Sequence, residues 1–144
     1  MRPVLRIVCG LPGAGKTTLA TRLSGVRLSP DDWMDALGID IWDQGMRARI
    51  EALQWALAQD MLRAGADVVI EWGTWSRAER DLLRERCRAM GVGVELHLVD
   101  APVEELWRRV SARAREYPPI TRADLERWSV QFERPDANEL ALYD

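Results

Sequence analysis

Lysine is nearly absent from this chain. Of its 20 basic residues only Lys16 is a lysine, and the other 19 are arginines. An exchange made everywhere else was not made at position 16, so that position demands a compact ammonium rather than a planar guanidinium. Cysteine is scarce as well. Cys9 and Cys87 stand in no metal-type spacing, and they read as two buried or partly buried thiols in a reducing cytoplasm rather than as a disulfide. No apolar run approaches 18 residues, so no membrane-spanning helix is expected. The opening "MRPVLRIVCGLPGAG" carries a charge inside a short apolar run, so no secretory leader is expected either. Excess positive charge is lacking: the net charge is −3, which argues against broad binding to nucleic acid or anionic lipid. There is no internal repeat, low-complexity tract or linker.

What is present is 47% hydrophobic residues over 144 positions, enough for one domain with a real core, and one domain over 1–144 is expected. Val4 to Cys9, "VLRIVC", reads as a buried strand ending at glycine. A helix is expected over Lys16 to Ser24, and a short strand over Val26 to Ser29, stopped by Pro30. Met46, Ile50, Leu53, Leu57, Met61 and Ala64 recur every three or four residues and predict one apolar face of a helix over Gln44–Ala64, closed by Gly65. Asp67–Trp72 is a third strand. Ser76, with Glu79 as a capping box, opens a helix to about Met90. Val94–Val99 is a fourth strand, in which the lone His97 reads as structural. Val103, Leu106, Trp107 and Val110 stripe a further helix that follows Pro102. Thr121 and Asp124 cap a last short helix, and the tail from Glu133 reads as loop. Strands alternating with helices predict a parallel sheet covered on both faces: an α/β fold of the three-layer α/β/α sandwich kind.

One segment carries chemistry. Gly10-Leu11-Pro12-Gly13-Ala14-Gly15-Lys16-Thr17 matches G-x-x-x-x-G-K-[ST] between a strand and a helix. Such glycines let backbone N–H groups turn inward around phosphates, and the helix start adds its dipole. Lys16 would reach the β- and γ-phosphates, and the Thr17 hydroxyl would ligate Mg²⁺. Gly10, Gly13, Ala14, Gly15, Lys16, Thr17 and Thr18 are therefore the candidate nucleotide-binding residues, with ATP and Mg²⁺ as cofactors. A GTPase is excluded, because its Asn-Lys-x-Asp element needs a second lysine. The chain is also too short for a ring-forming motor with its lid domain, which leaves a small kinase.

Phosphoryl transfer to a hydroxyl needs a carboxylate to orient or deprotonate the acceptor, and positive charge over the migrating group. Both belong at the carboxyl ends of parallel strands. Asp31 and Asp32 follow strand two, Glu71, Thr74 and Trp75 end strand three, and Asp100 ends strand four. Either aspartate could also serve as a helix N-cap, and Glu71 as an arginine partner. Trp33, Trp72 and Trp75 adjoin these positions, and one of them could stack on substrate. Arg108, Arg109, Arg113 and Arg115 share one helix before "YPP", and Arg109 and Arg113 share a face. A solvated face or an arginine-bearing lid over about 108–121 would account for them.

Together "CGLPGAGKTT", "LSPDDW", "VVIEWGTWSRAER", "LWRRVSAR" and "FERPDANE" resemble the small bacterial P-loop ATPases of the polynucleotide-kinase-like and chloramphenicol-phosphotransferase-like group, with zeta-type toxin kinases more distant. The resemblance implies a P-loop NTPase fold and ATP-dependent transfer to a hydroxyl. It implies Asp31 as general base, Arg109 and Arg113 as lid residues, and Arg80 near the substrate or bracing the strand-three rim. Asp32, Trp33, Glu71, Thr74, Trp75 and Arg80 are accordingly the candidate substrate-binding residues. Polynucleotide kinases place an arginine three residues past the catalytic aspartate; here Met34 stands there, which favours a small acceptor (metabolite, nucleoside or antibiotic) over a nucleic-acid 5′-hydroxyl. A nucleotide-binding switch without useful catalysis is the third reading. The family's fifth strand has only "LALY" to form it, so four parallel strands with at most a stub of a fifth are expected. A cytoplasmic monomer or homodimer is expected.

Overall fold

A computed structural model describes residues 2–144. The elements run β1 (Val4–Cys9), α1 (Lys16–Ala20), β2 (Val26–Leu28), α2 (Pro30–Ala36), α3 (Gln44–Arg63), β3 (Val68–Gly73), α4 (Arg77–Met90), β4 (Gly93–Leu98), α5 (Val103–Arg113), α6 (Arg122–Gln131) and α7 (Ala137–Leu140). The four strands pair in parallel in the order β2-β3-β1-β4. All carboxyl ends therefore lie on one rim, which is where an α/β sheet places its ligands. Among the described residues no fifth strand forms. Instead the backbone of Asp144 donates to Val94 O at 2.9 Å and its carboxylate accepts from Val94 N at 2.8 Å, tying the tail to the start of β4.

The alternation along β1 sorts the layers. Leu5 and Ile7 join Val68, Ile70 and Val94 in a core covered by Ala58 and Leu62 of α3 and by Leu83 and Cys87 of α4. Val8 and Val69 face the other way, onto Ala20 of α1. Cys9 and Leu11 pack with Leu106 and Val110 of α5 and with Leu125 and Phe132 at α6. Each fully buried leucine, isoleucine or valine stabilises by roughly 1.5–3 kcal/mol relative to exposure.

Local chemistry moves several boundaries. The chain after Pro30 is helical: Ser29 is the N-cap of α2, accepting from Asp32 N, with Pro30 in the first turn. Neither Asp31 nor Asp32 caps it; both sit inside its first turn, where their charges favour the helix dipole. The α1 helix stops at Ala20, and the Thr21 hydroxyl there donates to the Thr17 and Thr18 carbonyls. The buried face of α3 is Ile50, Gln54, Ala58 and Leu62, whereas Leu53 and Leu57 are exposed. The apolar periodicity pointed one helical step away. Gln54 tolerates burial because its Oε1 accepts from Trp72 Nε1 at 2.8 Å, and Ala58 lets the helix approach the sheet. The tail expected as loop contains α7, capped by Asp136 through Glu139 N at 2.8 Å.

The α7 turn exists to deliver Glu139. Its carboxylate meets Arg80 of α4 with Oε2 to Nε at 2.6 Å and Oε1 to Nη2 at 2.9 Å, and both side chains are essentially without solvent access. The rest of the guanidinium donates to Thr74 O at 2.8 Å and Glu133 O at 2.6 Å. Arg80 thus braces the rim of β3 from below. Replacing it with methionine leaves the buried Glu139 carboxylate with only Arg77 Nε at 3.8 Å, and the loss of its two close bonds should cost about 3–5 kcal/mol. The Arg80→Met midpoint in urea should fall accordingly, and an unchanged midpoint would show that the brace contributes nothing.

Candidate functional site

The loop from Gly10 to Gly15 leaves β1 at the centre of the sheet and enters α1. Two of its glycines are dictated by close approach. A Cβ on Gly10 would stand 2.5 Å from Val99 O. One on Gly13, whose φ is +84°, would meet Leu106 O and Val110 Cγ2 at 3.0 Å each. The loop is therefore pressed between β4 and α5, and no side chain fits there. Lys16 Nζ folds back onto Gly10 O at 2.9 Å. Burial lowers its pKa to about 8 against the pull of Asp31 and Glu71.

Around the loop lies a cavity of about 810 Å³. Gly13, Gly15, Lys16, Thr17 and Thr18 line its floor, while Gly10 and Ala14 sit behind it as loop frame. Thr17 Oγ1 donates to Glu71 Oε2 at 3.0 Å, so the hydroxyl and the carboxylate are adjacent. The Glu71 side chain is 5% exposed, and its other oxygen has no hydrogen bond, standing 3.5 Å from Arg27 Nε. Paired hard oxygen donors of this kind fit Mg²⁺, which binds through one or two carboxylates, waters and substrate phosphates.

Asp31 reaches the cavity from the first turn of α2. Arg47 of α3 grips one carboxylate oxygen, and Arg115, just past α5, donates to the other at 2.7 Å. Burial raises its pKa, but the two guanidinium groups outweigh that and hold it below the usual carboxylate range. Arg109 donates to Gly13 O at 3.1 Å and to Glu105 at 2.8 Å, and Arg113 faces Glu116 at 3.3 Å. Both arginines line the cavity, whereas Arg108 pairs outward with Glu105.

At the end of β3, Thr74 and Trp75 line the cavity and Trp75 Nε1 donates to Gly10 O at 3.2 Å. Thr74 takes a positive φ of 51° and offers its carbonyl to Cys9 Sγ at 3.2 Å. Cys9 and Cys87 are both free and buried. His97 contacts Glu95 at 2.9 Å, away from the cavity.

Three expected substrate residues are elsewhere. Asp32 points out of the cavity to Arg27, Trp33 packs against the sheet core, and Arg80 is 0% exposed and saturated by its partners. Alternation explains the first two, since Asp31, Asp32 and Trp33 are consecutive on a helix and only one faces the site. The cavity also contains residues that motif reasoning missed: Gln44, Arg47 and Glu51 on one face of α3, and Glu79 on α4. The signal for the α3 set was polar spacing of three and four residues, which reads equally as a solvated face.

Gly13→Ala should lower stability by about 1–3 kcal/mol, since it adds left-handed strain to a contact with α5. Chemical denaturation reads this directly, and wild-type stability would contradict the close packing of loop and helix.

A family model described as an AAA domain matches residues 5–135. No curated protein matches the sequence. Among solved structures, a chain of the Pnkp1/Rnl/Hen1 RNA repair complex aligns over 90% of this chain and 44% of its own length, at 23% identity and TM-score 0.71. The chain thus spans less than half of that relative. A Chloroflexus aurantiacus protein described as a candidate kinase aligns over 94% of this chain and 83% of its own, at 26% identity and TM-score 0.68. The Mycobacterium tuberculosis APS kinase in complex with AMPPNP and APS aligns over 81% and 75%, at 19% identity and TM-score 0.60. The fold is a kinase-like P-loop fold.

Proposed function

The chain belongs to the AAA-domain family, and from that premise we propose that it is an ATP-dependent phosphotransferase acting on a hydroxyl of a small molecule. The observation that carries this reading is the convergence on one cavity of the Lys16 loop, the Thr17–Glu71 oxygen pair and Asp31. The loop amides and Lys16 hold the polyphosphate. Thr17 and Glu71 hold Mg²⁺, which supplies neutralisation of phosphate charge. Asp31 orients the acceptor hydroxyl and takes its proton. Its low pKa keeps it ionised and suits it first to orientation. Arg109, Arg113 and Arg115 form a lid over about 108–121 that turns to the migrating charge. Of these, Arg115 begins on Asp31 itself, so lid closure and release of the carboxylate would be one motion.

A polynucleotide 5′-hydroxyl kinase remains the second reading, favoured by the likeness to a chain of an RNA repair complex. Against it stand the net charge of −3 and Met34, which is buried at 0% exposure where a phosphate-holding arginine would be needed. A switch protein is distinguished by turnover. Asp31→Asn should keep MgATP affinity and lower phosphorylation of the acceptor by about 10²–10⁴-fold. Radiolabelled ATP with a metabolite, antibiotic and oligonucleotide panel reads this; full turnover in the variant would remove Asp31 from its role.

Lys16 sets a pH dependence. Only its ammonium form attracts phosphate, and binding a polyanion raises its pKa above the free value of about 8. MgATP affinity should therefore be level below pH 8 and fall by up to about tenfold per unit above it. Titration calorimetry from pH 7 to 10 tests this, and an affinity independent of pH would place the ammonium away from the phosphates.

A further inference from the structure

The acceptor side of the cavity has unspent negative charge. Every arginine on its wall is already engaged: Arg47 and Arg115 with Asp31, Arg109 with Glu105, Arg113 with Glu116 and Arg127 with Asp124. Two carboxylates are not. Glu51 of α3 and Glu79 of α4 both line the cavity, both are half-buried, and neither has a hydrogen-bond or ion-pair partner among the described residues. Glu79 sits at the capping-box position of α4, and Ser76 Oγ accepts from its backbone N–H at 3.0 Å. The return bond from Ser76 N–H to the Glu79 carboxylate is not made. The side chain forgoes a capping bond and faces the cavity. Burial and the charges of Glu79 and Asp31 push Glu51 up to about 7 against the nearby Arg47, and burial raises Glu79 too. Arg47 and Arg80 act on these two carboxylates only through space, and neither carboxylate has a directly bound counter-ion.

An independent observation also points to a guest. Thr74, on the same cavity wall, is 2% exposed and its hydroxyl has no hydrogen-bond partner. A hydroxyl so enclosed normally finds one, at a cost of about 1–3 kcal/mol when it does not. Trp72 and Trp75 complete the wall with aromatic surface, their indole N–H groups tied to Gln54 and Gly10. Aromatic faces beside carboxylates are the usual surroundings of an ammonium group.

We propose that the acceptor is a small polar molecule bearing a protonated amine, which Glu51 and Glu79 hold while Thr74 hydrogen-bonds a neighbouring polar group. This rests on the phosphotransferase reading and names its substrate class. The amine supplies the missing counter-charge and offsets the repulsion between the two carboxylates. Acidic acceptors are rejected by the same pair. The hydroxyl beside the amine then falls to Asp31.

Calorimetry of the full chain with Mg²⁺ and AMPPNP, titrated with matched probes, tests the assignment. The pairs are glucosamine against glucose and ethanolamine against ethylene glycol. The amine of each pair should bind at least about tenfold tighter. The double substitution Glu51→Gln, Glu79→Gln should erase the difference, its AMPPNP affinity reporting that the nucleotide half is intact. Parity within the pairs, no heat from either amine, or a preference that survives the double substitution would overturn the proposal. The two readings also fail separately. An amine preference without phosphate transfer leaves the cation site and removes the kinase; transfer to a neutral acceptor as readily as to its amine analogue does the reverse.

Discussion

Four constraints meet at the Gly10 peptide group. Its N–H donates to Gly73 O at 3.1 Å, continuing the β1–β3 pairing past the last strand residue. Its carbonyl accepts from Lys16 Nζ at 2.9 Å and from Trp75 Nε1 at 3.2 Å. Its missing side chain admits Val99, the residue just past β4 on the other side. One residue thus ties the sheet, the anion loop and the acceptor wall. The lysine contact is the one made to be exchanged. The bond from its ammonium to a neutral carbonyl is worth about 1.5–3 kcal/mol net, and a phosphate oxygen adds charge attraction that a carbonyl lacks. Arginine in its place would carry a guanidinium too wide to fold back onto the loop, which is why the chain keeps a single lysine.

The cations around the cavity follow the same logic of provisional partners. Arg109 rests on Gly13 O, Arg113 on Glu116 and Arg115 on Asp31. Partly exposed contacts of this kind are worth about 0–1 kcal/mol, so a bound polyphosphate would outcompete them. Arg80 is the opposite case. Sealed against Glu139 and two carbonyls, it is structural, and its work is to hold the Thr74 backbone where the strand bends into a left-handed turn.

Much of this was legible in the residues. The G-x-x-x-x-G-K-T spacing fixed the loop between a strand and a helix, and alternation of strands with helices fixed a parallel sheet with its ligand rim. Asp31 was legible as a rim carboxylate, although its helix was hidden because Pro30 reads as a stop as readily as a first-turn residue. Two things were not legible. The rotation of α3 depends on Gln54 being buried by one indole bond, and no apolar count shows a buried glutamine. The α3 and α4 residues of the cavity, Arg47, Glu51 and Glu79, are ordinary helix-surface charges until the fold turns their face inward. Arg80 was ambiguous for a related reason: the family resemblance implied a place near the substrate or bracing the strand-three rim, and nothing in the residues shows Glu139 arriving 59 positions later to enclose it.

The most direct measurement of the central claim is a crystal structure with Mg²⁺ and a non-hydrolysable ATP analogue. The terminal phosphates should lie inside the Gly10–Gly15 loop, the metal beside Thr17 and Glu71, and Lys16 Nζ should have moved from Gly10 O to a phosphate oxygen. A nucleotide bound elsewhere, with Lys16 still on the Gly10 carbonyl, would contradict that claim.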